Sequence, residues 1–266
     1  MNHLFADLQL ARRLEQTEGR GNAAFVDAQA RLDPASGAIW KVAGGTAVMF
    51  AGVGSPITQT FGLGLHEPLR EIELDAIERF FTSRGSAVIH EVCPLAGVEV
   101  FATLARRGYK PVELSAVLYR PIDADTRISA DAQLSVRKVE EQEVGMYAKV
   151  SAHGWSEHPD LMPFIEGFAR LSAACATCFV AERDGTPIAT AALFMHERTA
   201  LLAGASTIPG GRRRGAQNAL LNARLQTAAS HGCDLAMMVA APGSASQRNA
   251  ERQGFRIAYT RTKWQL

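Results

Sequence analysis

Apolar residues in the carboxy-terminal half follow two different periods on the two sides of one turn. The run Ala200 to Ile208 is rich in apolar and small residues and predicts a strand, whereas Asn218 to Ser230 carries apolar residues at helical spacing. Pro209-Gly210-Gly211 stands just after the strand-like run, and such residues mark turns. This region is therefore predicted to form a strand, a small-residue turn and a helix.

A longer pattern occurs twice along the chain. Residues 80–119 and 228–261 each predict a helix, a glycine, a strand, a proline, a helix, a glycine followed by an aromatic residue, and a strand. The spacing between the two glycines is 23 residues in the first copy and 22 in the second: Gly85 to Gly108, and Gly232 to Gly254. This near-equal spacing indicates two copies of one supersecondary unit.

Antiparallel strands joined by glycine-containing turns are predicted upstream of each copy. These strands are Ala38 to Val42 and Ala47 to Ala51 in the first half, and Cys178 to Arg183 and Ile188 to His196 in the second. A helical pattern also opens each half, at Leu4 to Glu18 and at Glu140 to Ala152.

The polar segment Pro121 to Ser135 predicts a linker between the two halves. We therefore expect an α+β protein in which helices flank a mixed, mostly antiparallel sheet. Two domains are predicted, residues 1–130 and 131–266, because the pattern of elements repeats across this boundary.

Composition narrows the classes of function. The 266 residues are 47% hydrophobic, and no apolar run approaches the roughly 18 residues of a membrane span. The amino terminus lacks a basic segment followed by an apolar one, so the sequence predicts no export signal and a cytoplasmic protein. A formal charge of +1 argues against a nucleic-acid surface, although Arg212 to Arg214 leave such a contact as a minor alternative.

The four cysteines suggest neither a zinc site nor a redox pair. Only Cys175 and Cys178 have a CxxC spacing, which is a weak signal without further ligands. The pair leads into the apolar run Phe179-Val180-Ala181. We therefore predict reduced, buried cysteines and no metal.

The turn before the helix has the chemistry of a phosphate site. The segment Arg212-Arg213-Arg214-Gly215-Ala216-Gln217 leads into the helical pattern. The first backbone N–H groups of a helix have no partner inside the helix, and the helix dipole favours an anion there. Gly215 would let the backbone approach a pyrophosphate without an intervening side chain.

With this turn in place, the second half resembles the GNAT superfamily of acyl-CoA-dependent N-acyltransferases. The family signature Gln/Arg-x-x-Gly-x-Gly/Ala is matched by Arg212, Gly215 and Gln217, and Gly254-Phe255 stands where the family usually has Gly-Phe. The first half resembles a degenerate GNAT domain. At the corresponding place it has the glycines Gly62 and Gly64 but no cationic residue before Arg70. This segment is therefore either a phosphate-binding turn that has lost its function or an ordinary loop.

The resemblance implies a set of cofactor contacts. The backbone of Ala205, Ser206 and Thr207, at the end of the fourth strand, would pair with the pantetheine arm. The pyrophosphate would be held by Arg212, Arg213, Arg214, Gly215, Ala216 and Gln217. At the start of a later helix, Ser246 and Asn249 are expected to contact CoA or, alternatively, to serve as helix caps or surface residues.

Two positions depart from the family pattern. Gln217 occupies the last motif position, where it could hydrogen-bond to the phosphates or crowd them. Ala250 stands where many members have a tyrosine that acts as general acid, so Tyr259 or water would have to donate that proton. The possible general bases are Glu157, His158, Glu182, His196 and Glu197, although each could also be a solvated surface residue. Trp155 could form an apolar wall of the acceptor pocket.

The sequence thus predicts an acyl-CoA-dependent N-acyltransferase, with acetyl-CoA as the expected co-substrate. A small-molecule or peptide amine would be the acceptor, and the protein would be a monomer or a homodimer. The alternative is a regulatory protein that binds acyl-CoA without transferring the acyl group. The identity of the amine stays open.

Overall fold

The computed structural model describes residues 4–122 and 134–266. The described helices are α1 (Leu8–Leu32), α2 (Glu71–Thr82), α3 (Val98–Arg106), α4 (Val144–His153), α5 (Met162–Ala173), α6 (Ala216–Ser230) and α7 (Ala245–Arg252). The described strands are β1 (Ile39–Ala43), β2 (Thr46–Phe50), β3 (Gln59–Phe61), β4 (Ile89–Val92), β5 (Lys110–Pro121), β6 (Leu134–Lys138), β7 (Thr177–Arg183), β8 (Thr186–His196), β9 (Thr199–Thr207), β10 (Leu235–Ala240) and β11 (Arg256–Gln265).

Two compact units emerge from the contacts between residues. The described residues within 1–120 and 239–266 form the amino-terminal unit, and those within 121–238 form the second unit. The last 28 residues thus group with the first unit, which a linear cut into two halves did not anticipate. The predicted boundary near residue 130 and most of the predicted linker lie outside the described residues, so that boundary stays a prediction.

In the amino-terminal unit the strand order is β1-β2-β3-β4-β11-β5. Only β3 and β4 pair in parallel, and β11 lies antiparallel between β4 and β5. Helix α1 begins where the Asp7 carboxylate accepts from the amide of Leu10 at 2.9 Å, an N-cap that satisfies one free donor of the first turn. The core joins α2, α3 and the sheet, with Leu74, Ile77 and Leu104 fully buried.

In the second unit the strand order is β10-β9-β8-β7-β6. All neighbours are antiparallel except β10 and β9, which pair in parallel. Helices α4 and α5 pack with β7 and β8 through a core that includes Tyr147, Ala148 and Ala169. The prediction of a mixed, mostly antiparallel sheet with flanking helices is confirmed.

The length and polarity of the helices bear on whether any of them could span a membrane. Among the residues that the structure describes, none of the helices combines the length and the apolar character that crossing a bilayer demands.

Candidate active site

The predicted phosphate turn connects β9 to α6 in the second unit. A short 3-10 turn at Pro209–Gly211 follows the strand, and α6 begins at Ala216 with Gly215 as its N-cap. Gly215 has a φ of 75°, and Arg213 has a φ of 62°. Glycine adopts this left-handed conformation readily, whereas it costs a non-glycine residue about 1 kcal/mol or more. The turn therefore depends on glycine at position 215.

Backbone amides at the start of α6 have no backbone acceptor. In the described part of the chain, the amides of residues 213–217 make no backbone hydrogen bond, whereas the amide of Ala219 donates to the carbonyl of Gly215 at 3.1 Å. No side chain caps the helix at Gly215. Unpaired amides at the positive end of a helix are what a phosphate group binds. This fits the predicted pyrophosphate site.

The three arginines of the turn differ in their contacts. Arg212 donates to Glu157 at 2.8 Å and to the carbonyl of Gly154 at 3.1 Å. The guanidinium lowers the pKa of the Glu157 carboxyl. Arg213 and Arg214 are exposed to solvent. Arg212 is thus tied to the loop after α4, while the other two are placed to contribute positive potential.

Gln217 lies where it fastens the helix to the strand. Its side-chain amide donates to the carbonyl of Ser206 at 3.1 Å and to the hydroxyl of Thr207 at 2.7 Å. From the sequence, only contacts with phosphate were expected of this residue. The structure gives this long side chain a positioning role, because it fixes the end of β9 against the first turn of α6. Its contact with phosphate stays a prediction.

One edge of β9 is open next to this turn. Strand β10 pairs with β9 over only three residues, 235–237 with 199–201, although β9 continues to Thr207. Opposite β8, Gly204 and Ala205 face a single residue, Ala191, which forms a β-bulge where Gly204 has a φ of 60°. Ala203, Gly204 and Ala205 are exposed, so the backbone of this stretch is accessible to a ligand.

A buried arginine that was not predicted from the sequence supports the bulge. Arg224 on α6 is 4% exposed and donates to the carbonyls of Ala192 and Ala203 at 3.3 and 3.4 Å. Burial lowers the pKa of Arg224 to about 10, so the side chain is still a cation at neutral pH. In the sequence, the only signal for this role was a charged residue at a position of the helical pattern where an apolar residue is expected.

We expect Arg224→Met to lower the free energy of unfolding by about 1–3 kcal/mol, because two strand carbonyls lose their donor. Chemical denaturation measures this difference. Gln226→Met on the exposed face of the same helix is the control and should change stability by less than about 0.5 kcal/mol. Equal stability of the two variants would show that the bulge does not need the guanidinium.

Gly154 is a second residue whose role was not predicted from the sequence. It ends α4 against the end of β9, where an added Cβ atom would lie 1.9 Å from Oγ of Ser206 and 3.0 Å from the amide nitrogen of Thr207. Ser206 in turn donates to the carbonyl of Ser151 at 2.8 Å. Absence of a side chain at position 154 therefore allows this helix to contact the strand that borders the open edge.

Three predicted site residues belong to the amino-terminal unit. Ser246 and Asn249 are exposed on α7, whose N-cap is Ser244, so neither of them caps this helix. Tyr259 on β11 is 7% exposed and donates its hydroxyl proton to Glu15 at 2.8 Å. Burial raises the pKa of Tyr259 well above its usual value. Their roles as CoA contacts and as proton donor stay predictions.

The candidate bases are also placed by the structure. Glu182 is paired with Arg137 at 2.8 Å, and Glu157 is paired with Arg212. His196 and Glu197 lie 3.9 Å apart at the β8–β9 turn. His158 is exposed, and Trp155 is 42% exposed.

The cysteines and the first-half glycines have structural surroundings. None of the four cysteines, all of which lie in the described part of the chain, forms a disulfide; Cys178 is buried and Cys175 is half-buried. Among the residues that the structure describes, no cluster of three or more His, Cys, Asp or Glu side chains could hold a metal ion. The Gly62 to Leu65 segment forms a turn whose Leu63 and Leu65 are buried in the amino-terminal unit.

Comparisons with known proteins agree with this geometry. Residues 141–255 match the model of the acetyltransferase (GNAT) family. A GCN5-related N-acetyltransferase from Kribbella flavida is 19% identical, with 96% of this chain and 95% of that chain covered at a TM-score of 0.69. A comparison with curated proteins gave no match.

Two further solved structures extend the likeness over most of the chain. A GCN5-related N-acetyltransferase from Sphaerobacter thermophilus is 11% identical and has a TM-score of 0.58, with 94% of this chain and 91% of that chain covered. A tandem GNAT protein from the clavulanic acid biosynthesis pathway is 13% identical, covers 85% of this chain and 79% of its own, and has a TM-score of 0.56.

The class of protein follows from these matches and from the fold. The chain contains a GNAT acetyltransferase domain within residues 141–255, and as a whole it has the fold of GCN5-related N-acetyltransferases, including a tandem member. The predicted resemblance is confirmed.

Proposed function

We propose that this protein is an acyl-CoA-dependent N-acyltransferase that transfers an acetyl group to an amine. One observation carries the proposal: the open edge of β9 lies next to the unpaired amides at the start of α6. The backbone from Ala205 to Thr207 would pair with the pantetheine arm, and the turn from Arg212 to Gln217 would bind the pyrophosphate. Family membership of this segment supports the same co-substrate.

Transfer would occur by direct attack. The amine nitrogen forms a bond to the thioester carbonyl carbon, and the carbon–sulfur bond breaks as CoA leaves as a thiolate. Backbone N–H groups of β9 at the bulge would stabilise the oxyanion that develops on the carbonyl oxygen. The attacking amine loses one proton to a base or to water, and the thiolate takes one proton from an acid or from water.

Proton transfer sets different demands on the two sides of the reaction. A thiol with a pKa of about 8.5, the value of cysteine, is only about 1.5 units from neutrality, or about 2 kcal/mol, so a dedicated acid is not essential. A lysine-like amine with a pKa of about 10.4 must lose a proton at a cost of about 4.6 kcal/mol at pH 7. An α-amine near 8 costs about 1 unit and needs less help from a base.

The test is release of free thiol from acetyl-CoA in the presence of a panel of amines. We expect at least one amine to raise thiol release above the rate without amine, with an equal amount of N-acetylated product by mass spectrometry. Protein without acetyl-CoA is the control, because the half-buried Cys175 can itself react with a thiol reagent.

A second candidate function is binding of acyl-CoA without transfer. It is favoured by Ala250, which is 2% exposed where many relatives have the catalytic tyrosine, and by the hydrogen bond of the Tyr259 hydroxyl to Glu15. Tight binding of acetyl-CoA without turnover across the amine panel would support this function and contradict the first.

A further inference from the structure

A cavity of about 250 Å³ lies in the amino-terminal unit between α1 and the first three strands. Its walls include the aromatic residues Trp40 and Phe61, and Val42 lies at its exposed edge with 57% of its surface accessible. Ligand pockets usually have volumes of about 300–1,000 Å³, so this one suits a small molecule. It consists of residues that neither the turn nor the open strand edge uses.

Glu15 lines this cavity and is 1% exposed. Its Oε1 accepts from the hydroxyl of Tyr259 at 2.8 Å and from Arg261 at 3.1 Å. Its Oε2 is buried and has no hydrogen-bond partner in the described part of the chain. A buried carboxylate oxygen without a donor is costly and rare, which suggests that a ligand supplies the donor.

The charges around Glu15 favour a cation. Arg261 forms ion pairs with Glu15, Glu18 and Glu91 at 3.1, 2.7 and 2.9 Å. Lys263 is shared between Glu91 and the exposed Glu113. Carboxylates thus outnumber cations in this cluster.

Arginines contact both aromatic walls of the cavity. Arg261 is buried and lies over the Phe61 ring, 5.0 Å from the centroid, and its charge is offset by its ion pairs with three carboxylates. Arg20 lines the cavity, but it is exposed and lies over the Trp40 ring, 5.4 Å from the centroid. Solvent weakens its repulsion of a second cation. Burial, followed by the nearby Arg12, lowers the pKa of His66, which favours the neutral form of the imidazole in the cavity wall.

We propose that this cavity binds a small protonated amine with an aromatic or apolar body. The ammonium group would donate to Oε2 of Glu15, and the apolar body would contact Trp40 and Phe61. This site is separate from the proposed acetyl transfer. Its test measures binding alone and uses no acyl-CoA.

Isothermal titration with three matched probes tests the proposal: 2-phenylethylamine, its neutral analogue 2-phenylethanol and the anion 3-phenylpropionate. We expect the amine to bind at least tenfold more tightly than either analogue. Glu15→Gln should weaken amine binding at least tenfold and leave the alcohol unchanged. Glu99→Gln is the control, since Glu99 is exposed on α3 and neither lines the cavity nor belongs to the carboxylate cluster, and it should change the amine affinity less than threefold.

A second pair of variants covers the case in which Glu15→Gln fails to fold. Val42→Lys places a cation at the exposed edge of the cavity and should weaken amine binding at least fivefold. Ile39→Lys is its control, because Ile39 is also exposed on β1 and does not line the cavity. Absence of amine binding to the wild type, equal binding of amine and alcohol, or an equal effect of both lysine variants would overturn the proposal.

The pH dependence gives an independent readout. Burial raises the pKa of Glu15 to about 7, against the opposing effect of Arg261. Because the ammonium requires the ionised carboxylate, the amine affinity should rise about tenfold from pH 6 to pH 8 while an amine of pKa about 10 stays protonated. The charged and titratable groups that face Glu15 are Glu18 on α1, Glu91 on β4, Tyr259 and Arg261 on β11, and Cys93 after β4. If the amine affinity of the Glu15→Gln variant does not rise with pH, the assignment of Glu15 as the ammonium partner is confirmed. The same rise in that variant would contradict it.

Discussion

Gly215→Glu is expected to weaken acetyl-CoA binding at least 100-fold, which corresponds to about 2.7 kcal/mol. The substitution places a carboxylate at the start of α6, where the unpaired amides of residues 213–217 would otherwise receive a pyrophosphate. It also adds a side chain at a φ of 75°, which costs about 1 kcal/mol or more of stability. Isothermal titration of acetyl-CoA into the wild type and the variant measures the difference.

Gly232→Glu separates the loss of binding from backbone strain. Gly232 follows the other end of α6 with a φ of 78°, and an added Cβ there meets no atom within 4 Å. This variant has the same change of charge and a similar conformational cost, so it should bind acetyl-CoA within about threefold of the wild type. Equal binding by the Gly215 variant and the wild type, or no binding by either, would refute the phosphate site.

The local patterns of the sequence predicted much of the fold. Strand β9 (Thr199–Thr207) is shifted by one residue from the predicted run Ala200 to Ile208, and α6 begins two residues before the predicted helix and ends at the same residue, Ser230. Proline, glycine and hydrophobic period act within a few residues, so they can be read without the tertiary structure. Short elements such as β3, with three residues, lack enough positions to show a period and were missed.

The site was predictable only where its chemistry lies in the backbone. The turn at Gly215 follows from a helix start and a glycine, and both are visible in the sequence. Arg224 and Gly154 act through residues more than 20 positions away in sequence, Ala192 and Ser206, so their roles depend on how α6 and α4 pack against β8 and β9. The same holds for Glu15, whose partner Arg261 is 246 residues distant.

Gly154→Ala is expected to destabilise the protein by about 2–3 kcal/mol and to weaken acetyl-CoA binding at least tenfold. The added methyl group would lie 3.0 and 3.1 Å from the amide nitrogen and carbonyl oxygen of Thr207, in addition to its clash with Ser206. A rotation of the Ser206 side chain cannot relieve contacts with backbone atoms. The end of α4 must therefore move away from β9, which disturbs the strand end that Gln217 holds.

Gly167→Ala is the matched control for this change. Gly167 lies inside α5, and an added Cβ there meets no atom within 4 Å. Alanine in place of glycine within a helix should stabilise the protein by about 0.5–1 kcal/mol, since the unfolded chain loses conformational freedom. In chemical denaturation, the two variants should change the free energy of unfolding in opposite directions. Because both glycines have helical backbone angles and are replaced by the same side chain, this difference follows from the contact at Gly154 alone. If Gly154→Ala were as stable as the wild type and bound acetyl-CoA equally well, the close approach of α4 to β9 would not be needed for the site.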